Sequence, residues 1–247
     1  MRKILGAVAT LALVASACSN SDPVAGKRST GGTPQASGAS VPFKKATLIV
    51  ETNATDGDAG LQINLDHEPW RSISIFRSDG AKILEIESRG VLTNYGLTEL
   101  FSESSEPPFK TFPFEKFKQL FPPGEYRFVG TTIEGQRMEG LVTLTHNIPE
   151  GPALLAPEED GTVARTRAVV RWAPVTKPAG ITMKGYQVIV TQEVPVVRVF
   201  QAELPATATS LTIPAEFLIS GVEYKVEVQA IETGGNQTFH ERTFTVS

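Results

Sequence analysis

Apolar and polar residues alternate along short segments of this chain, and this alternation narrows the choice of fold more than any other feature. Leu61, Ile63 and Leu65 alternate with polar residues, and Ile73 and Ile75 alternate with serines. A period of two indicates strands that bury one face and expose the other. The same pattern recurs through most of the chain after residue 44, so the sequence predicts an all-β fold.

Turn residues separate these segments at the spacing of hairpins. Asp79-Gly80 and Glu134-Gly135 lie between pairs of predicted strands, and such residues tolerate the positive φ that tight turns require. Three phenylalanines within 114–121 recur at i, i+3 and i+7 before two prolines, which predicts a short amphipathic helix. A further helical turn is predicted over residues 98–101.

The part of the chain after residue 152 contains more strand-like segments separated by turns, which favours a β-sandwich. Several of its residues occur together in a known pattern: Pro157, Trp172, Tyr186, Leu211-Thr212-Ile213-Pro214, Leu218, Tyr224 and Gly234-Gly235. With these residues the segment 152–247 resembles the fibronectin type III family. The resemblance implies that Trp172 lies in the core and that Leu218 and Tyr224 form a tyrosine corner, in which the phenol hydroxyl bonds to upstream backbone.

An internal echo predicts a related sandwich upstream. Four residues recur at an offset of 98 positions, as from Leu120 to Leu218 and from Tyr126 to Tyr224; the other two pairs are Ile133 with Ile231 and Glu134 with Glu232. Since that offset is about the length of one sandwich, we expect two tandem immunoglobulin-like or fibronectin type III-like domains. Their predicted bounds are 44–147, with the short helical insertion, and 152–247, joined by a proline-containing stretch.

Residues 1–17 have the composition of a secretory signal, in which Arg2 and Lys3 precede an apolar run. That run is about 12 residues, whereas a bilayer span needs about 20. A cleaved signal is therefore favoured over a retained transmembrane helix. The run Ala15-Ser16-Ala17-Cys18 resembles the lipobox of bacterial lipoproteins, which implies lipid attachment at Cys18. The alternative is an ordinary secretory signal with an incidental cysteine.

The segment after the predicted cleavage site indicates how the folded part is attached to the membrane. Residues 18–43 are rich in Ser, Thr, Gly, Pro and Ala, a composition typical of a flexible tether. By the same resemblance, Ser19 implies attachment to the outer membrane. We therefore expect a cell-envelope protein whose membrane contact is its lipid anchor.

The charge balance excludes one class of partner. Lys and Arg number 23 against 27 Asp and Glu, for a net charge of -4. A chain without a basic surface is a poor match for phosphate backbones, so nucleic acid is not expected as a partner.

The sharpest candidate for ligand chemistry is an acidic loop. Asp56 and Asp58 stand in the run Asp56-Gly57-Asp58-Ala59-Gly60, with Glu51 and Asp66 on the flanking strands. Convergent carboxylates suit Ca²⁺, which makes Asp56, Asp58 and Asp66 a candidate calcium set and Ca²⁺ the only candidate cofactor. The loop lacks the EF-hand pattern, and we favour the alternative interpretation, a polar turn between strands.

Trp70 is the candidate binding residue. It follows Glu68-Pro69 in a predicted turn, where an exposed ring would stack on a sugar or a peptide. We favour the alternative, a ring packed against the sandwich. Glu68 is the one carboxylate that this turn offers for hydrolysis, and a surface turn explains it better.

No motif for nucleophilic, metal or acid–base catalysis is recognised in the sequence, so we expect a protein that is not an enzyme. The function predicted is a binding or scaffolding module of the cell envelope that contacts another protein. The alternative is a surface accessory protein that binds or hydrolyses carbohydrate. The partner is accordingly expected to be an envelope protein or a glycan.

Overall fold

The computed structural model describes residues 40–247. The predicted signal, Cys18 and the tether up to residue 39 lie outside the described residues. The described chain is mostly strand, and its sheets have a sandwich-like arrangement, which confirms the all-β fold class. Within these residues no helix has the length and apolar character needed to span a bilayer.

The first part of the described chain, residues 40–148, is called here the N-terminal lobe. Three hairpins and two short helices occur along it. Its elements are β1 (Lys45–Asn53), β2 (Asp58–Phe76), β3 (Lys82–Glu87), α1 (Leu92–Tyr95), β4 (Leu97–Glu103), α2 (Phe114–Leu120), β5 (Gly124–Thr132) and β6 (Arg137–Leu144).

Strand β2 organises the N-terminal lobe because two sets of strands share it. Its first half pairs with β1 on one side and β4 on the other. Its second half pairs with β3 and β5, and β5 pairs with β6. The register shifts between Asp66 and Trp70, and again between Trp70 and Ser72. An irregularity of this kind bends a strand. The two halves of β2 therefore belong to different layers, which enclose the core of the N-terminal lobe.

That irregularity corrects the prediction of a turn at Glu68-Pro69-Trp70-Arg71. The four residues lie inside β2. Proline cannot donate a ladder hydrogen bond and is tolerated in strands at bulges. Pro69 occupies such a position, so the chain changes partners there without reversing direction.

The helix predicted over 114–121 is confirmed as α2. Phe117 is buried, and its ring lies 5.9 Å from that of Phe114 and 5.0 Å from that of Phe121, between centroids. The helical turn predicted over residues 98–101 is wrong, because those residues lie in β4. Leu100 pairs there with Leu65, so a long-range ladder outweighs a weak local preference.

The C-terminal lobe, residues 152–247, is a three-stranded sheet opposite a four-stranded one. The order is β12-β9-β7 in the first and β11-β10-β13-β14 in the second. Its elements are β7 (Leu154–Ala156), β8 (Gly161–Val163), a 3-10 turn (Arg165–Arg167), β9 (Val169–Trp172), β10 (Met183–Gln192), β11 (Arg198–Pro205), β12 (Ser210–Thr212), β13 (Glu223–Glu232) and β14 (Gln237–Val246).

Each lobe has its own hydrophobic core. The core of the N-terminal lobe is centred on Trp70, Tyr126 and Phe128, and that of the C-terminal lobe on Trp172 and Tyr224. Alternation along the strands explains both, since each strand gives one face to its core. The division into domains at 44–147 and 152–247 stays a prediction.

One sheet nevertheless runs through both lobes. β1 pairs in parallel with β14, with Glu51 opposite Gln237 and Asn53 opposite Phe239. This pairing, called here the inter-lobe joint, produces a continuous sheet of 11 strands. The polar face of that sheet, opposite both cores, therefore extends from one lobe into the other.

Candidate functional site

The polar face is acidic beside the inter-lobe joint. On β1 and β2 the residues that point away from the core include Glu51, Asp58 and Gln62, while Val50 and Leu61 point into it. Glu51 lies opposite Gly60 in the β1–β2 register. Glu51 is 5% exposed although its face is polar.

Three carboxylates meet at this point, and they are called here the carboxylate cluster. Glu51, Glu103 and Glu106 each offer one oxygen within 4.8 Å of the others. β1 supplies the first, the last residue of β4 supplies the second, and the segment after β4 supplies the third. Glu103 and Glu106 lie 52 and 55 residues beyond Glu51 in the sequence (103 − 51 and 106 − 51). The pairing of β4 with β2 brings them close to Glu51 in the fold.

Backbone contacts hold Glu106 over β2. Ser104 donates its N–H to the carbonyl of Leu61, and Phe109 donates to that of Gly57. Between these two contacts, Glu106 Oε1 lies 2.7 Å from where a Cβ on Gly60 would be. The absence of a side chain at Gly60 is therefore what lets the carboxylate of Glu106 lie against the sheet.

Neutral amides hold the other two members of the cluster. Gln62 Nε2 donates to Glu103 Oε1 at 3.0 Å, and Gln237 Nε2 donates to Glu51 Oε2 across the inter-lobe joint. Amide donors orient a carboxylate without neutralising its charge. Among the described residues, no Lys, Arg or His forms an ion pair with the cluster.

Burial and like charge both favour protonation of this cluster. Burial raises the pKa of Glu51 to about 8, against the opposing hydrogen bond from Gln237, and the charges of Glu103 and Glu106 raise it further. Burial also raises the pKa of Glu106 to about 7, with a further contribution from Glu103 and Asp58. A buried group of carboxylates is most stable when protons or a cation offset its charge.

The structure does not bring Asp56, Asp58 and Asp66 together, which corrects that candidate calcium set. Asp56 is exposed in the turn before β2, where its N–H donates to Asn53 Oδ1 at 3.1 Å. Asp66 lies eight residues beyond Asp58 on β2, roughly 25 Å away at the rise of an extended strand. Of the acidic residues singled out in the sequence, Glu51 belongs to the cluster and Asp58 flanks it.

Glu103 and Glu106 were missed by sequence reasoning. No spacing links them to Glu51, and no turn motif marks the segment 104–109. Their contribution depends on the register of β4 against β2, which periodicity cannot specify.

Trp70 does not present a ring to solvent, because it is 0% exposed in the core of the N-terminal lobe. Stacking on a sugar or peptide from solvent requires an accessible face, so the candidate binding role of Trp70 is corrected. The bulge in β2 turns the side chain inward, where a large aromatic ring contributes most to packing.

The residues singled out as structural are all buried. Trp172, Leu218 and Tyr224 are each 1% exposed. Tyr224 Oη accepts a hydrogen bond from the N–H of Ile219 at 2.8 Å, which is the geometry that a tyrosine corner requires.

Comparison with known proteins gives no family for the chain. No protein-family model matches it, and no curated protein matches it. Among solved structures it is similar to a two-domain fibronectin type III segment of chicken tenascin, with 14% identity and a TM-score of 0.31, over 80% of this chain and 97% of that one. It is also similar to a tetra-tandem repeat in the extending region of a large adhesion protein, with 14% identity and a TM-score of 0.30, over 82% of this chain and 50% of that one. The chain thus spans about half the length of the second structure.

Proposed function

We propose that the chain is a non-catalytic binding module of the cell envelope. Lipid on Cys18 holds it to the outer membrane, and the C-terminal lobe contacts an extended segment of another envelope protein. The observation that carries the proposal is an exposed apolar loop next to an unpaired strand edge, both at the β10–β11 hairpin.

The loop is called here the valine tip, residues 194–199. Val194 is 74% exposed, Val196 and Val197 are each 65% exposed, and Val199 is 48% exposed. Single exposed apolar residues are ordinary on a protein surface. Four exposed valines within six residues concentrate apolar side chains in one loop, and concentrated exposed apolar surface is a property of interaction sites.

The strand that follows the valine tip supplies a backbone edge. β11 ends the 11-stranded sheet and pairs with β10 alone. Its first seven residues contain no proline, so the alternate N–H groups that point away from β10 can act as donors. An extended peptide that adds to such an edge forms main-chain hydrogen bonds and places alternate side chains against neighbouring surface. The valine tip would cover the apolar side chains of that peptide.

Photocrosslinking tests the proposed contact in cells. A photoreactive aromatic residue replaces Val197 in the full chain, and we expect a discrete protein adduct in intact envelopes. The matched control is Leu141, which is 63% exposed on β6 of the other lobe and should give no such adduct. The proposal fails if Val197 gives no adduct or if both positions give the same one.

A charge change then tests whether apolar contact holds the partner. The double variant Val194→Lys and Val196→Lys should abolish the Val197 adduct, because desolvating two ammonium groups opposes binding. Leu141→Lys should leave the adduct intact. Persistence of the adduct in the double variant would contradict a role for the valine tip.

The proposed anchor has a separate test. Cys18→Ala removes the only sulfur able to carry lipid in this chain, so we expect the variant to leave the membrane fraction on sedimentation. Ser19→Ala is the matched control and should remain with membranes. Co-sedimentation of Cys18→Ala with membranes would remove lipid attachment from the proposal without affecting the valine tip.

A further inference from the structure

We propose that the carboxylate cluster is a calcium site beside the inter-lobe joint. Calcium takes oxygen ligands at about 2.3–2.6 Å, so two ligands on opposite sides of the ion are roughly 4.6–5.2 Å apart. The three oxygens of Glu51, Glu103 and Glu106 lie within 4.8 Å of one another. One ion therefore reaches all three without a change of the backbone.

A second observation points independently to a ligand. Asp58 is 6% exposed, and its Oδ1 has no hydrogen-bond partner among the described residues. It faces the same side of β2 as Gly60, over which the carboxylate of Glu106 lies. Oε1 of Glu106 is likewise buried without a partner. Buried polar atoms are almost always satisfied, so these two unused oxygens favour a ligand on this face of the sheet.

We expect that ligand to be positive. Three carboxylates meet at the cluster, Asp58 lies on the same face of β2, and the groups that bond to the cluster are the neutral amides of Gln62 and Gln237. Lys225, on β13, is engaged with Glu227 at 2.9 Å and with Glu241 at 3.3 Å. A cation would offset the repulsion that burial strengthens.

The chemistry of the donors favours calcium over other metals. All the donors in the cluster are carboxylate oxygens, and soft metals prefer sulfur and nitrogen. The carboxylates come from three separate segments, an arrangement that suits the irregular coordination of calcium better than the strict octahedron of Mg²⁺. The ion would bind Glu51 of β1, whose neighbour across the joint is Gln237 of β14, so occupancy would also stabilise the pairing of the two lobes.

Calcium titration of the full chain, purified in detergent and stripped with a chelator, tests the site. We expect the thermal unfolding midpoint to rise with Ca²⁺ in the range up to about 10 mM, since an ion that binds only the folded state stabilises it by mass action. Calorimetric titration should give one ion per chain. No response to Ca²⁺ over this range would overturn the proposal, and a response to Mg²⁺ alone would overturn the identity of the ion.

Two variants separate a ligand from a merely structural residue. Glu106→Gln should weaken calcium binding at least tenfold. In chelator its unfolding midpoint should equal or exceed that of the wild type, because removal of one charge relieves repulsion. Glu99→Gln is the matched control, an exposed carboxylate on the same strand as Glu103, and should bind calcium as the wild type does.

The proposal is overturned if Glu106→Gln retains wild-type calcium affinity. A lower midpoint for Glu106→Gln in chelator would also overturn it, since that result would identify Glu106 as a structural residue. Gly60→Ala provides a second route to the same conclusion, because its new methyl group would meet Glu106 Oε1 at 2.7 Å and displace it. We expect that variant to lose calcium binding while both lobes stay folded.

Discussion

Two buried tyrosines perform matching tasks in the two lobes. Tyr126 Oη donates to the carbonyl of Pro122 at 2.9 Å, and Tyr224 Oη accepts from the N–H of Ile219 at 2.8 Å. In each case a phenol from the beginning of a strand fixes the loop before that strand. The sequence echo between Tyr126 and Tyr224 therefore has a physical counterpart in the structure.

Tyr224→Phe tests this role at the scale of one hydroxyl. The change leaves the ring packed against Phe244 but removes the acceptor of the Ile219 N–H and the contact with Gln192 Oε1 at 3.2 Å. Leaving buried polar groups unsatisfied costs about 1–3 kcal/mol, so we expect a loss of that size in urea denaturation. Tyr95→Phe, at a position 78% exposed, should change stability by almost nothing. An equal loss of stability in Tyr224→Phe and Tyr95→Phe would contradict the role of the tyrosine corner.

Glu51 predicts a pH dependence of stability. Its pKa is about 8 in the folded chain, against 4.5 as the ordinary value. The folded state holds the proton more tightly, so this contribution to stability is complete below pH 4.5 and is lost as the pH rises to about 8. In chelator, the wild-type unfolding midpoint should therefore fall between about pH 5 and pH 8, relative to Glu51→Gln.

The amide in Glu51→Gln does not titrate, so its midpoint should change less with pH over the same range. Glu99→Gln leaves Glu51 intact and should show the wild-type dependence. An identical pH profile for the wild type and Glu51→Gln would show that Glu51 does not carry the effect.

At the scale of strands and helices, local patterns were reliable where local forces decide the structure. The hairpin at Asp79-Gly80, the strands of the C-terminal lobe and α2 follow from turn chemistry and periodicity. The predictions at 98–101 and 68–71 are wrong because long-range pairing decides both. β4 is a strand because it adds to β2, and Pro69 is accommodated because β2 changes partners there.

At the candidate site, too, local features can be recognised in the sequence, whereas features that depend on long-range pairing cannot. Glu51 and Asp58 could be named from the sequence as candidate ligands beside the favoured interpretation of a polar turn, because a run of carboxylates in a loop is visible without a structure. The sequence could not identify Glu103 and Glu106, which reach Glu51 through the register of β4. It also could not predict the inter-lobe joint, since the partners Glu51 and Gln237 are separated by 186 residues.

At the scale of the whole molecule, the inter-lobe joint makes the two lobes mechanically dependent on each other. Asn236, which is 2% exposed, immediately precedes the first paired residue of β14. Asn236 Oδ1 accepts from the N–H of Val50 at 2.9 Å, and Nδ2 donates to the carbonyls of Thr145 at 3.1 Å and Asn147 at 3.2 Å. One side chain of the C-terminal lobe thus satisfies three backbone groups of the N-terminal lobe.

This arrangement predicts that the two lobes unfold as one cooperative unit. In calorimetry the wild type should give one transition whose calorimetric and van't Hoff enthalpies agree, because a continuous sheet couples both cores. Asn236→Ala leaves three backbone groups without their partner, one of them the buried N–H of Val50, so we expect it to split that transition into two. Tyr224→Phe acts inside one lobe and should lower the single transition without splitting it. Two separate transitions in the wild type would show that the lobes are independent domains, and a single transition in Asn236→Ala would place the coupling elsewhere in the β1–β14 pairing.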